Sequence, residues 1–441
     1  MRKIIIATLL IFAQYEGVSQ SELLQSGPML GYSEMLEVAI WVQTKDVADV
    51  SIVYWPLENP EDKHFTNDVV TEKDKAYTAL LIADTLEPGN KYGYELLIND
   101  HVIDLPYATT FQTQPLWKWR TDPPNFSFVM GSGAYINEPK YDRPGDGYGN
   151  DYQIYKSMAA IHPDFMIWLG DNIYLREPDW NSQTGIFHRN THTRSLPEMQ
   201  EFLASTHNYA ILDDHDFGPN DSDRGFWNKN QTLNAFELMW ANPSYGVGNI
   251  NGAITSFQWG DADFFLLDNR THRAPNHRKT GEKTQLGEEQ LQWLIDNLAA
   301  SYATFKFVVL GGQLLSTSPT YESYSNYGFD KERQRIIDYI YAEEIKNVVF
   351  LTGDVHFSEI SVLREDGKPT IWDITSSPLN SGVNIYAREK DNKLRITESV
   401  IMERNFTEIK LSGTIKERKL NIVYYGSNGD EIWKYEIEME E

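Results

Sequence analysis

Four short stretches carry most of the residues able to do chemistry. Gly170-Asp171-Asn172-Ile173-Tyr174 sets a carboxylate and a phenol three residues apart, and Asp213-Asp214-His215-Asp216 packs three acids around an imidazole. Gly353-Asp354-Val355-His356 pairs another acid with another imidazole, and Gly311-Gly312-Gln313 ends in an amide. Each follows an apolar run, at residues 165–169, 209–212, 348–351 and 305–310. Runs this short are below ordinary helix length and read as strands buried on both faces. Ligands of α/β sheets bind at the carboxyl ends of the strands. If these strands are neighbours in one sheet, several carboxylates converge at one edge. Like charges that close repel by several kcal/mol, at order of magnitude, unless a cation sits among them. The pattern therefore points to a metal site, dinuclear with Asp171 as the bridge. Its oxygen and imidazole donors suit Fe, Mn, Zn, Mg or Ca.

The elements that must position these residues follow from periodicity. Further strands are expected at 126–130 and 264–267. A helix over 288–298 shows Leu291, Leu294, Ile295 and Leu298 on one face. A second helix over 330–343 begins with Asp330 as its expected N-cap. Residues 175–207 form a polar, aromatic, histidine-bearing insertion long enough to be functional. After residue 404 strands return, with Asn428-Gly429 as a hairpin turn between 420–425 and 431–437.

Ahead of this α/β region the grammar is different. Leu36, Val38, Ile40 and Val42 alternate, as do Tyr92, Tyr94, Leu96 and Ile98, with further strands at 50–55 and 76–82. The segment Leu86-Glu87-Pro88-Gly89-Asn90-Lys91-Tyr92 is similar to a tyrosine corner. Residues 20–113 read as an immunoglobulin- or fibronectin-III-like β-sandwich. Pro115, Pro123 and Pro124 mark 114–125 as the linker, and 126–441 as the α/β domain with its C-terminal strands.

With 39 basic and 64 acidic residues in 441, the net charge is −25. That field repels phosphate backbones and speaks against a nucleic-acid-binding surface. Residues 1–19 read as a signal peptide: Arg2 and Lys3, an apolar stretch from Ile4 to Ala13, then Gly17-Val18-Ser19. The expected address is exported, whether periplasmic, cell-surface or secreted, and no stretch is long enough to be a transmembrane span. There is no cysteine, hence no disulfide and no thiolate ligand.

The motifs Gly170-Asp171-Asn172-Ile173-Tyr174, Asp213-Asp214-His215-Asp216 and Gly353-Asp354-Val355-His356 resemble those of the calcineurin-like metallophosphoesterases, and more closely the PhoD-like alkaline phosphatase family. Gly131-Ser132, Asp268-Asn269-Arg270 and the run from Leu286-Gly287 through Gln290 to Trp293-Leu294 extend the resemblance over nearly the whole mature chain. It implies a four-layer αββα catalytic domain and a two-metal phosphoesterase, with Fe and Ca the leading metals. Asp171 would bridge the ions, Tyr174 and Asp354 would hold the first, and Asp214 and His356 the second, helped by Gln313. His215 would protonate the leaving oxygen. Asn172, Asp213 and Asp216 are candidates for ligating or orienting roles, the latter two as supports for His215.

The resemblance breaks at one position. The family has Gly-Ser-Cys after the first strand, whereas this chain reads Gly131-Ser132-Gly133, so the first metal would lose a thiolate. His188, Arg189, His192 and Arg194 in the insertion, and Arg270 beyond it, are candidates for gripping a small phosphorylated substrate. The expected activity is hydrolysis of phosphomonoesters or phosphodiesters by metal-activated water. The alternative is a weakened member that binds a phospho-ligand or polymer without turnover.

Overall fold

A computed structural model describes residues 20–319, 323–387 and 391–440; the proposed signal peptide lies outside the described residues. The N-terminal part is built from antiparallel strands in two packed sheets. Leu24–Ser33, Val38–Thr44 and Thr78–Ala83 form one sheet, and Asp49–Pro56 and Lys91–Ile98 centre the other. Val38, Ile40, Val42, Ile52, Tyr54, Leu81 and Leu96 share the core between them. The Tyr92 hydroxyl accepts a 2.8 Å hydrogen bond from the Glu87 amide, closing the corner that the sequence suggested.

The alternation expected from Leu36 onward holds only in part. Leu36 is exposed and precedes the strand, while every residue of Val38–Thr44 is buried. The reason is a second partner. Ala39 and Trp41 face away from the sandwich core and pack with Phe202, Met239 and Trp240 of the following domain. Polar bonds fasten the same junction: Trp41 Nε1 donates to the Leu238 carbonyl at 2.8 Å, and Tyr94 Oη to the Ala204 carbonyl at 2.8 Å. The 114–125 segment contains no strand or helix, yet it is not loose. Gln114 is buried and donates to carbonyls of both parts, Ser33 at 2.9 Å and Gln258 at 2.7 Å.

Beyond it lie two facing six-stranded sheets. In the first, Phe126–Gly131, Phe165–Leu169 and His207–Ile211 run parallel. Asn405–Ser412 joins them antiparallel, followed by the hairpin of Lys419–Gly426 and Glu431–Glu438. In the second, Ala262–Leu266, Phe305–Val309, Val348–Thr352 and Ile371–Thr375 run parallel, with Thr255–Trp259 and Glu359–Leu363 on its edges. The hairpin turn occupies 427–430 and includes Asn428-Gly429.

Aromatic rings lock the sheets together. Phe128 of the first meets Phe264 and Phe307 of the second edge-on, with ring centroids 5.5 Å apart in both pairs. The apolar strand 165–169 is thereby explained: Phe165, Ile167 and Leu169 enter the layer between the sheets, while Met166 and Trp168 meet the outer helices. Helices Gln153–Ile161, Pro197–Ser205 and Lys229–Met239 pack against the outer face of the first sheet. Glu288–Ala300 and Asp330–Ala342 cover the second, burying Leu291, Leu294, Ile295 and Leu298 as their spacing predicts. Asp330 is the first helical residue, not the cap; Phe329 holds that position and makes no side-chain capping bond. The 175–207 insertion is largely helical, as Gln183–Arg194 and Pro197–Ser205. No helix among the described residues is long and apolar enough to cross a membrane.

Candidate metal centre

The parallel strands of both sheets end at a common edge, and the turns beyond them make the site. After Phe165–Leu169 the backbone reverses through Gly170 at φ +83° and Asp171 at φ +50°. Gly170 has to be glycine, because a Cβ there would sit 2.5 Å from Cβ of Asp213 on the neighbouring turn. Asp354 and His356 also adopt left-handed backbone, at φ +65° and +60°. For a residue with a side chain, that conformation costs about 1–3 kcal/mol and persists where its surroundings over-determine it. Three of the five candidate ligands therefore sit on strained turns.

Two groups of ligand atoms result. Those of Asp171, Asp214 and His215 lie within 4.8 Å of one another, as do those of Asp213, Asp214 and Asp354. Asp171 is almost fully buried. Burial, then the charges of Asp214, Asp213, Asp354 and Asp216, push its carboxyl well above the usual range. Burial also opposes the charge on Asp214, but His215, Arg270 and the Asp221 amide hold it below the ordinary value. The buried oxygens Asp214 Oδ1 and Asn172 Oδ1 have no hydrogen-bond partner. Repelling carboxylates and open oxygen lone pairs are what a cation would relieve, so these residues fit a metal.

His356 carries a fixed tautomer. Its Nδ1 lies 2.6 Å from the Gly382 carbonyl, which only accepts, so Nδ1 bears the hydrogen and Nε2 keeps its lone pair. Its amide donates to Ser377 Oγ at 3.1 Å, and the Asp354 amide to Ser132 Oγ at 3.0 Å. Tyr174 is buried, donates to Asp171 Oδ2 at 3.1 Å, and lies tilted by 34° against the His215 ring, with centroids 4.2 Å apart. Burial, Asp171 and Tyr148 push its phenol up. The His215 side chain keeps 20% exposure, with Nε2 4.0 Å from Asp214.

The residues expected to orient this group do so differently from one another. Asp216 accepts from the amides of Asn172 (3.0 Å), Ile173 (3.2 Å) and Asp213 (2.9 Å), so it clamps two turns together rather than supporting His215. Asp213 is held by Asn269 Nδ2 at 3.0 Å and by a short bond from Arg270 Nε. Gln313 donates its amide nitrogen to Glu359 (2.9 Å) and Thr375 (3.0 Å).

The expected phosphate-gripping cations are mostly engaged elsewhere. Arg270 is fully buried against Asp213, with Nη2 3.7 Å from Asp214. Arg189 is spent on Asp179 and Glu138, both at 2.8 Å, and His188 shares Glu138 at 3.1 Å. His192 is half-buried beside Arg189. Arg194 lies under the Trp240 ring at 3.5 Å, at the junction with the N-terminal part, and takes no place in the acidic group.

Sequence reasoning missed two residues at this edge. Tyr148, from the Gly- and Pro-rich loop that also holds Asp142, Arg143 and Asp146, is half-exposed, with its hydroxyl 3.5 Å from His356 Nδ1. Burial and the charges of Asp171 and Asp354 push its phenol up to about 12. Ser381 follows the strand Ile371–Thr375, and the polar run Ser376-Ser377-Pro378 through Asn380-Ser381-Gly382 was its available signal.

The chain is similar to known proteins in sequence and in fold. The family model described as PhoD-like phosphatase matches residues 139–416, and one described as a domain of unknown function (DUF7800) matches residues 21–116. Alkaline phosphatase D of Bacillus subtilis (strain 168) is 28% identical over 368 residues, covering 71% of this chain. The match spans 60% of that relative's own length. The fold is similar to a solved structure of PhoD, with TM-score 0.75 and 18% identity over 97% of this chain and 93% of that one. It is also similar to purple acid phosphatase PPD1 from yellow lupin (Lupinus luteus) seeds, with TM-score 0.65 and 13% identity over 93% and 74%.

Proposed function

The chain belongs to the PhoD-like phosphatase family, and on that premise we propose that it is an exported, metal-dependent phosphoesterase acting on small phosphomonoesters or phosphodiesters. The observation that carries this reading is the meeting of Asp171, Asp213, Asp214, His215 and Asp354 oxygens and nitrogens from two sheets at one edge. Asp171, Tyr174 and Asp354 would hold one ion, and Asp171, Asp214 and His356 another. Fe and Ca lead as candidates, with Mn, Zn or Mg as substitutes. Bound there, the ions would supply charge to the phosphoryl oxygens and lower the pKa of an attacking water.

The chain's own residues do the rest. His215 is the group exposed enough to meet substrate and hands a proton from Nε2 to the leaving oxygen. Tyr174 packs tilted against its ring. Arg270 holds Asp213 in place and helps keep Asp214 charged. Tyr148 sets its ring edge-on to those of Tyr174 and His356, with centroids 6.2 and 5.9 Å apart. The architecture is a four-layer αββα catalytic domain over 126–441, joined through 114–125 to a fibronectin-III-like sandwich over 20–113.

The second reading, a phospho-ligand or polymer binder without turnover, draws on Gly133, which offers no ligand. One assay separates them: hydrolysis of p-nitrophenyl phosphate and bis-p-nitrophenyl phosphate by chelator-treated protein, with Fe, Ca, Mn or Zn restored. Metal-dependent release of p-nitrophenol is the expected result. Tight metal or phosphate binding with no release under any metal would leave the binder.

A further inference from the structure

Ser381 stands where the two halves of the candidate metal centre join. Its side chain is fully buried. Its Oγ lies 3.1 Å from Nδ1 of His356. Because the Gly382 carbonyl obliges Nδ1 to carry the hydrogen, the serine oxygen faces a donor on the His356 side. Tyr174, the neighbouring candidate ligand, donates its own hydrogen to Asp171 Oδ2 at 3.1 Å. Ser381 therefore stands between the His356 turn and the Gly133 turn, to whose carbonyl its amide donates. It links a turn of the second sheet to a turn of the first.

The serine is held from behind. Its amide donates to the Gly133 carbonyl at 3.1 Å, and the Leu379 amide to the Ser132 carbonyl at 2.8 Å. Arg404 Nε donates to its carbonyl at 2.9 Å. The space for the hydroxyl exists because residue 133 has no side chain. Gly133 is at φ +77°, and a Cβ there would lie 2.8 Å from Ser381 Oγ and 3.1 Å from Pro378 Cβ.

We propose that Ser381 is a positioning residue for the metal centre: its hydroxyl holds His356 in its ligand geometry, and glycine at 133 is the condition for its being there. The inference rests on the reading that His356 ligates. Outer partners of this kind are worth about tenfold to a hundredfold in metal affinity.

The test is a calorimetric titration of Mn²⁺ into the chelator-treated full chain, comparing wild type with Ser381→Ala, Gly133→Ala and the double variant. Wild type should bind. Ser381→Ala should bind about tenfold to a hundredfold more weakly while its metal-free unfolding midpoint and near-ultraviolet circular dichroism match wild type. Gly133→Ala should show the same loss by pushing the hydroxyl aside. The double variant should be no weaker than Ser381→Ala, since both changes act through one group. Wild-type-like binding by Ser381→Ala, or losses that simply add in the double variant, would overturn the role of Ser381 and leave the metal reading standing. Absence of Mn²⁺ binding by wild type would overturn the metal reading itself.

Discussion

Asp214 follows a strand of the first sheet and Asp354 a strand of the second, yet their carboxylate oxygens lie within 4.8 Å of each other. The first sheet alone brings Asp171, Asp214 and His215 together, and the second adds Asp354. The aromatic layer between the sheets, with Phe128 set edge-on to Phe264 and Phe307, fixes the distance at which the acids meet.

Acids that close repel, so removing one should help the metal-free chain. Asp171→Asn is expected to raise metal-free stability by about 1 kcal/mol, by relief of like charges in a dry site. Wild type should gain about 2.7 kcal/mol from an ion supplied at a hundred times its dissociation constant, and Asp171→Asn much less. Denaturant titrations with chelator and with Mn²⁺ measure both. A variant that loses stability in chelator and still gains fully from metal would contradict the assignment.

His215 is proposed to protonate the leaving oxygen, so its loss should depend on the leaving group. His215→Asn should lower kcat/KM for an alkyl phosphate by roughly a hundredfold to ten-thousandfold. The loss should be smaller for p-nitrophenyl phosphate, whose leaving group needs no proton. Equal losses on both substrates, with metal content unchanged, would assign His215 to charge stabilisation instead.

Arg270 sits fully buried against Asp213. Arg270→Met strips that carboxylate of its guanidinium and is expected to cost about 3–5 kcal/mol of stability. Adding Asp213→Leu should recover most of it, because an apolar pair of similar volume replaces the ion pair. Urea unfolding of the single and double variants measures the difference. Equal stability of the two would mean the pair is not what holds this turn.

His207 joins the N-terminal part to the first sheet, with Nδ1 2.8 Å from the Gly31 carbonyl. Burial lowers its pKa from 6.5 to about 4, against the pull of its backbone bonds. The unfolded chain therefore binds the proton first on acidification, and stability falls as pH drops from 6.5 toward 4. The loss from this group amounts to about 3 kcal/mol at the acid end. His207→Gln, which keeps a donor and an acceptor, should flatten that part of the stability–pH curve. An unchanged slope would place the acid sensitivity in the carboxylates.

Several features were legible because they are local. The strand at 165–169 shows itself as an apolar run, the helix at 288–300 as one apolar face, and the tyrosine corner as a spaced motif ending at Tyr92. Asp171, Asp214 and Asp354 were legible as acids at strand ends. What was misread depended on partners distant in sequence. Alternation from Leu36 suggested a half-exposed strand, but Trp41 packs on Trp240, nearly two hundred residues away. Arg189 and Arg194 looked like cations ready for phosphate; Glu138 and Asp179 take the first, and the Trp240 ring covers the second.

The sequence by itself determined which residues could ligate, which runs could be strands, and that glycine rather than a thiolate stands at 133. Only the tertiary structure decided that the acids come from two sheets, that Asp216 clamps backbone amides, and that Ser381 occupies the space beside Gly133. The reason is physical. Periodicity records how a residue meets its own element, whereas hydrogen bonds and ion pairs across the site depend on which turns the packed sheets bring within about 3 Å of each other.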